Sequence, residues 1–417
     1  MTDITALDAP TAPVAFVGRR WHLFGLVLRN SLFNLLTLGI YRFWAKTRLR
    51  RYFWHGVAID GEALEYTGRP VELLIGFLIV LAVLVPLGIV YSGFGAFLAA
   101  NDTVAASFLD FAYLGVLFVL TPYALYRARR YRLTRTLWRG VRCGQDGSPV
   151  RYAFLSIGLW LLNLVTLGLA YPWMRTVLQR FRMNNTRFGS RHFTFDGTGG
   201  ALFLFWLPVV VCVFGGTALV LLGLWEPLKF AFEHIELFEE DVLSVIPSET
   251  FDRMQLSIGG ALLVLAAILL FSYRVREFRY FASVTRLGKA EFRSQLRLAR
   301  VLLIGIGYYA LFALMLLIVL VLVGGLAIGF ETGTETASPV LSENQAAALG
   351  FATLLLYLVA LPAVKYVAFY HPLVRHASGT LQVSNMDHVA TIVQEVHDQP
   401  RYGEGLADAL DADVGVF

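Results

Sequence analysis

Charge is scarce in this 417-residue chain. Asp, Glu, Lys and Arg make up 16% of it and hydrophobic residues 57%, whereas soluble domains carry roughly 25% charged residues. The mean hydropathy of +0.62 points the same way. The shortage excludes a single water-soluble core and implies a polytopic membrane protein. Cysteine is scarcer still. Cys143 lies in an Arg-rich loop and Cys212 in an apolar run. That excludes a disulfide framework and a cysteine metal site, and leaves two free thiols. The first residues lack the basic and short apolar regions of a cleavable signal, so the first hydrophobic segment is expected to act as the targeting signal and stay in place. Catalytic signatures are missing as well. No H-x-x-x-H or H-E-x-x-H pair occurs, and no phosphate loop or dinucleotide fingerprint. No metal, no cofactor and no enzyme activity are therefore expected, with an intramembrane enzyme kept as a reserve reading.

Long apolar runs are what the chain has in quantity. Six segments, 71–99, 104–126, 201–224, 256–273, 301–325 and 347–370, are mostly Leu, Val, Ile, Phe, Ala and Gly. Each is close to or above the ~20 residues that a spanning helix needs. Pro86, Pro122, Pro208 and Pro362 interrupt them, which is tolerated where neighbours re-satisfy the freed backbone. Residues 127–151 hold eight Arg and one Asp, and 274–300 hold eight Lys or Arg against two Glu. The loops 225–255 and 331–345 are acidic. Because Lys and Arg are retained on the cytoplasmic side, the six helices are expected to form three hairpins with outward tips. Both termini are then cytoplasmic, in a bacterial inner membrane.

Two more segments carry a repeated phrase. "NLLTLGIYRFWAKTRLRRY" runs from Asn34 to Tyr52 and "NLVTLGLAYPWMRTVLQRF" from Asn163 to Phe181, an offset of 129. The stretches 22–43 and 152–173 are each long enough to span. Basic clusters flank the second on both sides, so a span would put one of them outside. A re-entrant or interfacial elbow broken at Thr-Leu-Gly is expected instead, with Trp44 and Trp173 at headgroup depth. Ordinary spanning with an outside N-terminus stays open for the first. "AIDGEALEYTG", "TRFGSRHFTF" and "TRLGKAEFRS" alternate polar and aromatic residues around glycine and predict short β-hairpins.

The resulting fold class is an all-α polytopic membrane protein. It has six transmembrane helices in three hairpins, two re-entrant or interfacial helices and short cytoplasmic β-hairpin-like connections. Internal repeats run parallel. A flexible N-terminus (1–15) precedes repeats at 16–140, 145–280 and, in part, 281–390, and an acidic tail covers 391–417.

The phrases "LLTLGIYRFWAKTRLRRYFW" and "IDGEALEYTGRPVELLIGF" resemble those of a YjgN-like bacterial inner-membrane family, a domain of unknown function. The resemblance covers roughly residues 14–385. It departs at Ala170-Tyr171-Pro172, which stands where the first phrase has Ile40-Tyr41-Arg42. It implies a polytopic inner-membrane location and no activity or catalytic residues.

Intramembrane polar residues are costly and often functional. Arg29, Asn30, Asn34, Thr37, Asn163 and Thr166 read either as the lining of a pore or groove or as hydrogen-bonding glue. Arg48, Arg51, Arg127, Arg130, Arg180, Arg274 and Arg276 adjoin helix ends among Tyr and Trp. They are expected to snorkel to anionic lipid headgroups rather than to bind nucleic acid. Glu72 is expected to pair with a nearby Arg. The partners are then an anionic bilayer and a possible small solute, with the oligomeric state open. Transport or permeation of a solute or lipid through a polar groove between repeats is the leading reading. A non-transporting scaffold or regulatory envelope component is the alternative.

Overall fold

The computed structural model describes residues 11–101, 103–233, 251–331, 343–395 and 404–410. Much of the expected flexible N-terminus, the centres of both acidic loops and parts of the acidic tail lie outside the described residues. The chain divides into two units. One draws on 1–155, 181–195 and 283–417, the other on 156–180 and 196–282.

The first unit is organised by a sheet, which corrects the all-α expectation. Its strands are β1 (Thr11–Phe16), β2 (Val57–Ile59), β3 (Glu62–Ala63), β4 (Glu65–Tyr66), β5 (Thr136–Trp138), β6 (Val141–Gln145), β7 (Thr186–Phe188), β8 (Arg191–Phe195), β9 (Thr285–Leu287), β10 (Ala290–Ser294) and β11 (Leu381–Ser384). They form one antiparallel 11-stranded sheet in the order β3-β2-β1-β11-β10-β9-β8-β7-β6-β5-β4. Residues 11–15, expected to be flexible, make most of β1. The two ends of that order belong to one run of chain. Only Leu64 separates β3 from β4; its N–H donates to Val57 O at 2.9 Å, while Glu65 next to it pairs with Leu137. The sheet therefore closes into a ring. The reason is local: each short hairpin exposes two unpaired edges, and closure is the arrangement that leaves none.

Alternation along the strands fills the inside of the ring. Ala12 and Val14 of β1 meet Trp138, Phe188, Leu287, Ala290 and Val383 in one buried cluster. Met386 and Val389, on a short helix, α13 (Met386–Ala390), complete it. The hairpin turns suit the right-handed twist. Asp60-Gly61 and Arg139-Gly140 both take positive φ, the backbone that a two-residue type I′ turn requires.

Helices leave the ring between paired strands. Helices α1 (Arg20–Leu36) and α2 (Arg42–Gly56) lie between β1 and β2, which pair at Phe16 and Val57. Helices α3 (Pro70–Asn101) and α4 (Thr103–Thr134) lie between β4 and β5, paired at Tyr66 and Thr136. Helices α5 (Pro149–Val165) and α6 (Tyr171–Asn184) lie between β6 and β7, paired at Gln145 and Thr186. Then α7 (Gly200–Gly223), α8 (Trp225–Glu233) and α9 (Arg253–Ser283) lie between β8 and β9, paired at Phe195 and Thr285. Last come α10 (Leu298–Glu331), α11 (Glu343–Ala363), a π-helix over Val364–Tyr370 and α12 (His371–Gly379), between β10 and β11, paired at Ser294 and Leu381. A terminal segment, α14 (Gly405–Ala409), packs Ala407 against Ala124 and Ala128 of α4.

Among the described residues six helices are long and apolar enough to cross a membrane: α3, α4, α7, α9, α10 and the continuous run Ala347–Gly379. Helices α1 and α5, at 17 residues, are roughly 25 Å long and are not among them. In the second unit α7 and α9 pack through small residues. A Cβ on Gly216 would lie 3.0 Å from Gly259 O, and one on Gly259 2.9 Å from Gly216 O, a backbone approach that suits helix pairing in lipid.

Candidate functional site: a basic cleft between the first two helices

The Thr-Leu-Gly phrase sets the angle between α1 and α2. Helix α1 stops at Leu36. Thr37 Oγ1 donates to Phe33 O at 2.8 Å and accepts the Tyr41 N–H at 3.0 Å, so one hydroxyl caps the end of α1 and the start of α2. Leu38 and Gly39 turn the chain at φ of 49° and 91°, and Gly39 N–H donates to Asn34 O at 2.8 Å. The second phrase makes the same turn. Thr166 Oγ1 bonds Leu162 O at 2.9 Å and the Ala170 N–H at 3.1 Å, with Leu167 and Gly168 at φ of 49° and 84°. The tips are apolar and open: Leu38 is 94% exposed and Val165 81%.

Between α1 and α2 lies a cleft of about 470 Å³ lined by His22, Arg29, Arg48, Arg51, Tyr52 and His55, with Val17, Gly18, Leu26 and Gly56. Among the described residues no carboxylate lines it. His22 stacks on Tyr52 at 5.9 Å between ring centroids. Tyr52 donates to Arg19 O at 2.9 Å, and burial pushes its phenol up to about 12, so it remains a neutral wall. His55 Nδ1 donates to Arg51 O at 2.9 Å, which leaves Nε2 as its outer polar atom. Arg48 sits over the Tyr41 ring at 5.5 Å and bonds its hydroxyl. Three guanidinium groups without an acid make a site for an anion.

Position-by-position comparison at the offset of 129 separates scaffold from specialty. Asn34, Thr37, Gly39 and Arg51 have identical counterparts in Asn163, Thr166, Gly168 and Arg180. The cleft residues mostly do not. Gly158 stands opposite Arg29, Val177 opposite Arg48, Arg151 opposite His22 and Asn184 opposite His55.

The sequence-predicted residues scatter. Arg29 joins Arg48 and Arg51 in the cleft. Asn30, on the same helix, is 3% exposed, and neither of its amide atoms has a hydrogen-bond partner. The side-chain oxygens of Asn34 and Asn163 are likewise unpartnered. Thr37 and Thr166 are used in the turns. Asn163 and Thr166 belong to the second unit and Arg29, Asn30, Asn34 and Thr37 to the first. Three of the headgroup candidates bind backbone: Arg51 donates to Gly68 O at 3.1 Å, Arg180 to Gly197 O at 2.7 Å, and Arg130 to Gly147 O. Each spans 17 residues and ties a helix to the loop leaving its hairpin. That constant Arg-to-Gly spacing was readable in the chain. Arg127 donates to Tyr123 Oη at 3.3 Å. In the second unit Arg276 covers the Phe205 ring at 4.1 Å, and Arg274 pairs with Glu277 at 3.3 Å.

Some polar groups escape a reading of the sequence. Arg175 Nε meets the buried Glu277 at 2.6 Å. Arg50, fully buried, holds Glu404 through both terminal guanidinium nitrogens, with Nη1 at 2.6 Å from Oε2. Helical periodicity flags neither, since their partners lie in distant sequence. Glu72 pairs with Arg135 at 3.0 Å and accepts from Tyr131 at 2.9 Å. Cys143 and Cys212 are free thiols, and burial pushes the Cys143 thiol up to about 12.

Fold and cleft together define a multi-pass membrane protein whose helices leave a closed antiparallel ring. The model of a family described as "Bacterial protein of unknown function (DUF898)" matches residues 11–409, and the chain belongs to that family. It is also 26% identical over 178 residues to the Inner membrane protein YjgN of Salmonella typhimurium, a match covering 40% of this chain and 42% of that protein. The match thus spans less than half the length of that relative. No solved structure matches. The relative and the six apolar helices together support a multi-pass inner-membrane location.

Proposed function

We propose that this protein handles anionic amphiphiles in the inner membrane, with the α1–α2 cleft holding the charged head and no chemical step performed. The carrying observation is the acid-free cleft of Arg29, Arg48 and Arg51 with His22 and His55. It is joined by the absence of the matching cations Arg29 and Arg48 at the second Thr-Leu-Gly phrase. Residues needed only for folding recur at both phrases; those of the cleft mostly do not. The apolar hairpin tip lets a lipid tail lie against the same element.

The topology that goes with this reading has three membrane hairpins and two re-entrant ones, built as parallel repeats, with the ring and both termini on the cytoplasmic side. Strand pairing supports it. Phe16 pairs with Val57 and Gln145 with Thr186, so each Thr-Leu-Gly excursion begins and ends on one face of the bilayer. The strand-bearing loops are also the arginine-rich ones.

The test is lipid exchange and small-solute flux in proteoliposomes, using wild type and R29Q/R48Q. Lipid exchange that falls about tenfold in the variant, equivalent to about 1.4 kcal/mol, is expected. Flux of a small solute in place of lipid exchange would move the reading to a solute pathway. A folded protein inert in both assays would end both readings. It would favour a scaffold, the second reading, for which the Arg-to-glycine ties at Arg51, Arg130 and Arg180 speak.

A further inference from the structure

A second cleft, of about 710 Å³, opens where α10 and α12 meet the ring. Arg20 of α1, Arg297 and Arg300 at the start of α10, and Arg375 and His376 of α12 line it. Among the described residues, again, no carboxylate does. All four arginines are exposed. Among the described residues none of them has a carboxylate within 4.0 Å, although Arg135, Arg139, Arg187 and Arg286 of the same unit all do. Four uncompensated guanidinium groups around one concavity repel one another, and that arrangement is relieved when an anion occupies the space between them.

The backbone behind the cleft is unusual in a way that bears on its arginines. Val364–Tyr370 forms seven residues of π-helix immediately before α12. Well under 1% of residues adopt this form, and it recurs at functional sites. Arg375 and His376 lie on the helix that directly follows it. His376 is also fixed: its Nε2 accepts the Arg297 N–H at 3.2 Å, which ties α12 to the entry of α10, so that both helices contribute arginines to the one cleft.

We propose that this cleft binds a phosphate group of more than one negative charge, a phosphomonoester or pyrophosphate, through the planar forks of Arg297, Arg300 and Arg375 with Arg20 as the outer contact. A guanidinium fork matches two phosphate oxygens at once, and three or four forks exceed what a singly charged diester can satisfy. The site is independent of the α1–α2 cleft. It shares none of that cleft's lining residues and draws its cations mainly from the last helical excursion.

The phosphate comes either from solution or from a lipid head, and two arms separate these sources. The full chain is placed in nanodiscs of phosphatidylcholine. In one arm inorganic pyrophosphate is titrated and heat is measured. In the other, phosphatidic acid is mixed into the nanodisc and the lipid retained on the protein is counted by native mass spectrometry. Variant R300Q/R375Q is expected to lose about tenfold or more in affinity. Variant R300K/R375K keeps the charge without the forks and is expected to recover only part. R191Q/R253Q removes two exposed arginines elsewhere as the control. Both pairs lie at the surface, and helicity by circular dichroism verifies folding. Variant-sensitive binding in the pyrophosphate arm alone assigns a soluble ligand; in the phosphatidic acid arm alone, a lipid head; in both, the shared phosphate chemistry. Absence of binding in both arms, or an equal loss in the control, overturns the proposal.

Discussion

Arg50 and Glu404 lie 354 residues apart in sequence, yet both are fully buried and joined. Burial would push the Glu404 carboxyl up; Arg50 outweighs that, and Lys46 and Arg132 add to it, so the group is held below its ordinary 4.5. Removing one member of such a pair strands a buried charge at a cost of about 3–5 kcal/mol. E404Q is therefore expected to lower the thermal midpoint sharply at neutral pH, while R50M/E404L recovers most of the loss. The sign of the pH effect is that of a depressed carboxylate. Its contribution is whole above the ordinary carboxylate range and disappears as pH falls through the lower, folded value. Wild type should lose stability in acid that R50M/E404L does not lose. Melting curves across pH that run parallel for the two proteins would contradict this coupling. None of it was visible from the chain, because an arginine among five cations reads as surface until its partner is seated.

At the scale of elements, the Thr-Leu-Gly turn is the best-specified local feature. Threonine caps two helices at once, and a leucine accepts left-handed φ at both phrases. A left-handed leucine costs roughly 1–2 kcal/mol, yet the position exposes the side chain almost completely in Leu38. On the proposed re-entrant topology, lipid contact at the tip would be the physical reason to keep an apolar residue there. L38W is accordingly expected to be quenched strongly by lipids brominated along the acyl chain. Quenching no deeper than the headgroups would place the tip at the surface and remove the re-entrant geometry. This break was legible beforehand because it rests on adjacent residues. The predicted polar lining was less so. Asn30 and Arg29 are neighbours in sequence, but one is buried without a partner and the other faces the cleft.

On the scale of the whole first unit, the ring makes the earliest and latest strands neighbours. Thr11 pairs with Ser384, and Phe16 pairs with Val57. Deleting residues 11–16 would leave β2 and β11 with open edges. Hydrogen exchange in the full chain should then accelerate in both 57–59 and 381–384, with the apolar helices still protected. Acceleration confined to one of the two segments would mean that the ring does not close through β1.

The chain alone determined the membrane class, the six apolar helices, the Thr-Leu-Gly breaks and the hairpin phrases. Each is a matter of local composition or of residues within one turn or hairpin. Hydropathy, capping hydroxyls and glycine-bearing turns act over a few residues, so a linear reading finds them. Only the tertiary structure decided that the hairpins join edge to edge, that Arg50 is seated on Glu404, and that Arg20 and Arg375 line one cleft. Those outcomes depend on which edges and charges are brought together across hundreds of residues. Strand-edge pairing and desolvated ion pairing carry no periodic mark in the sequence.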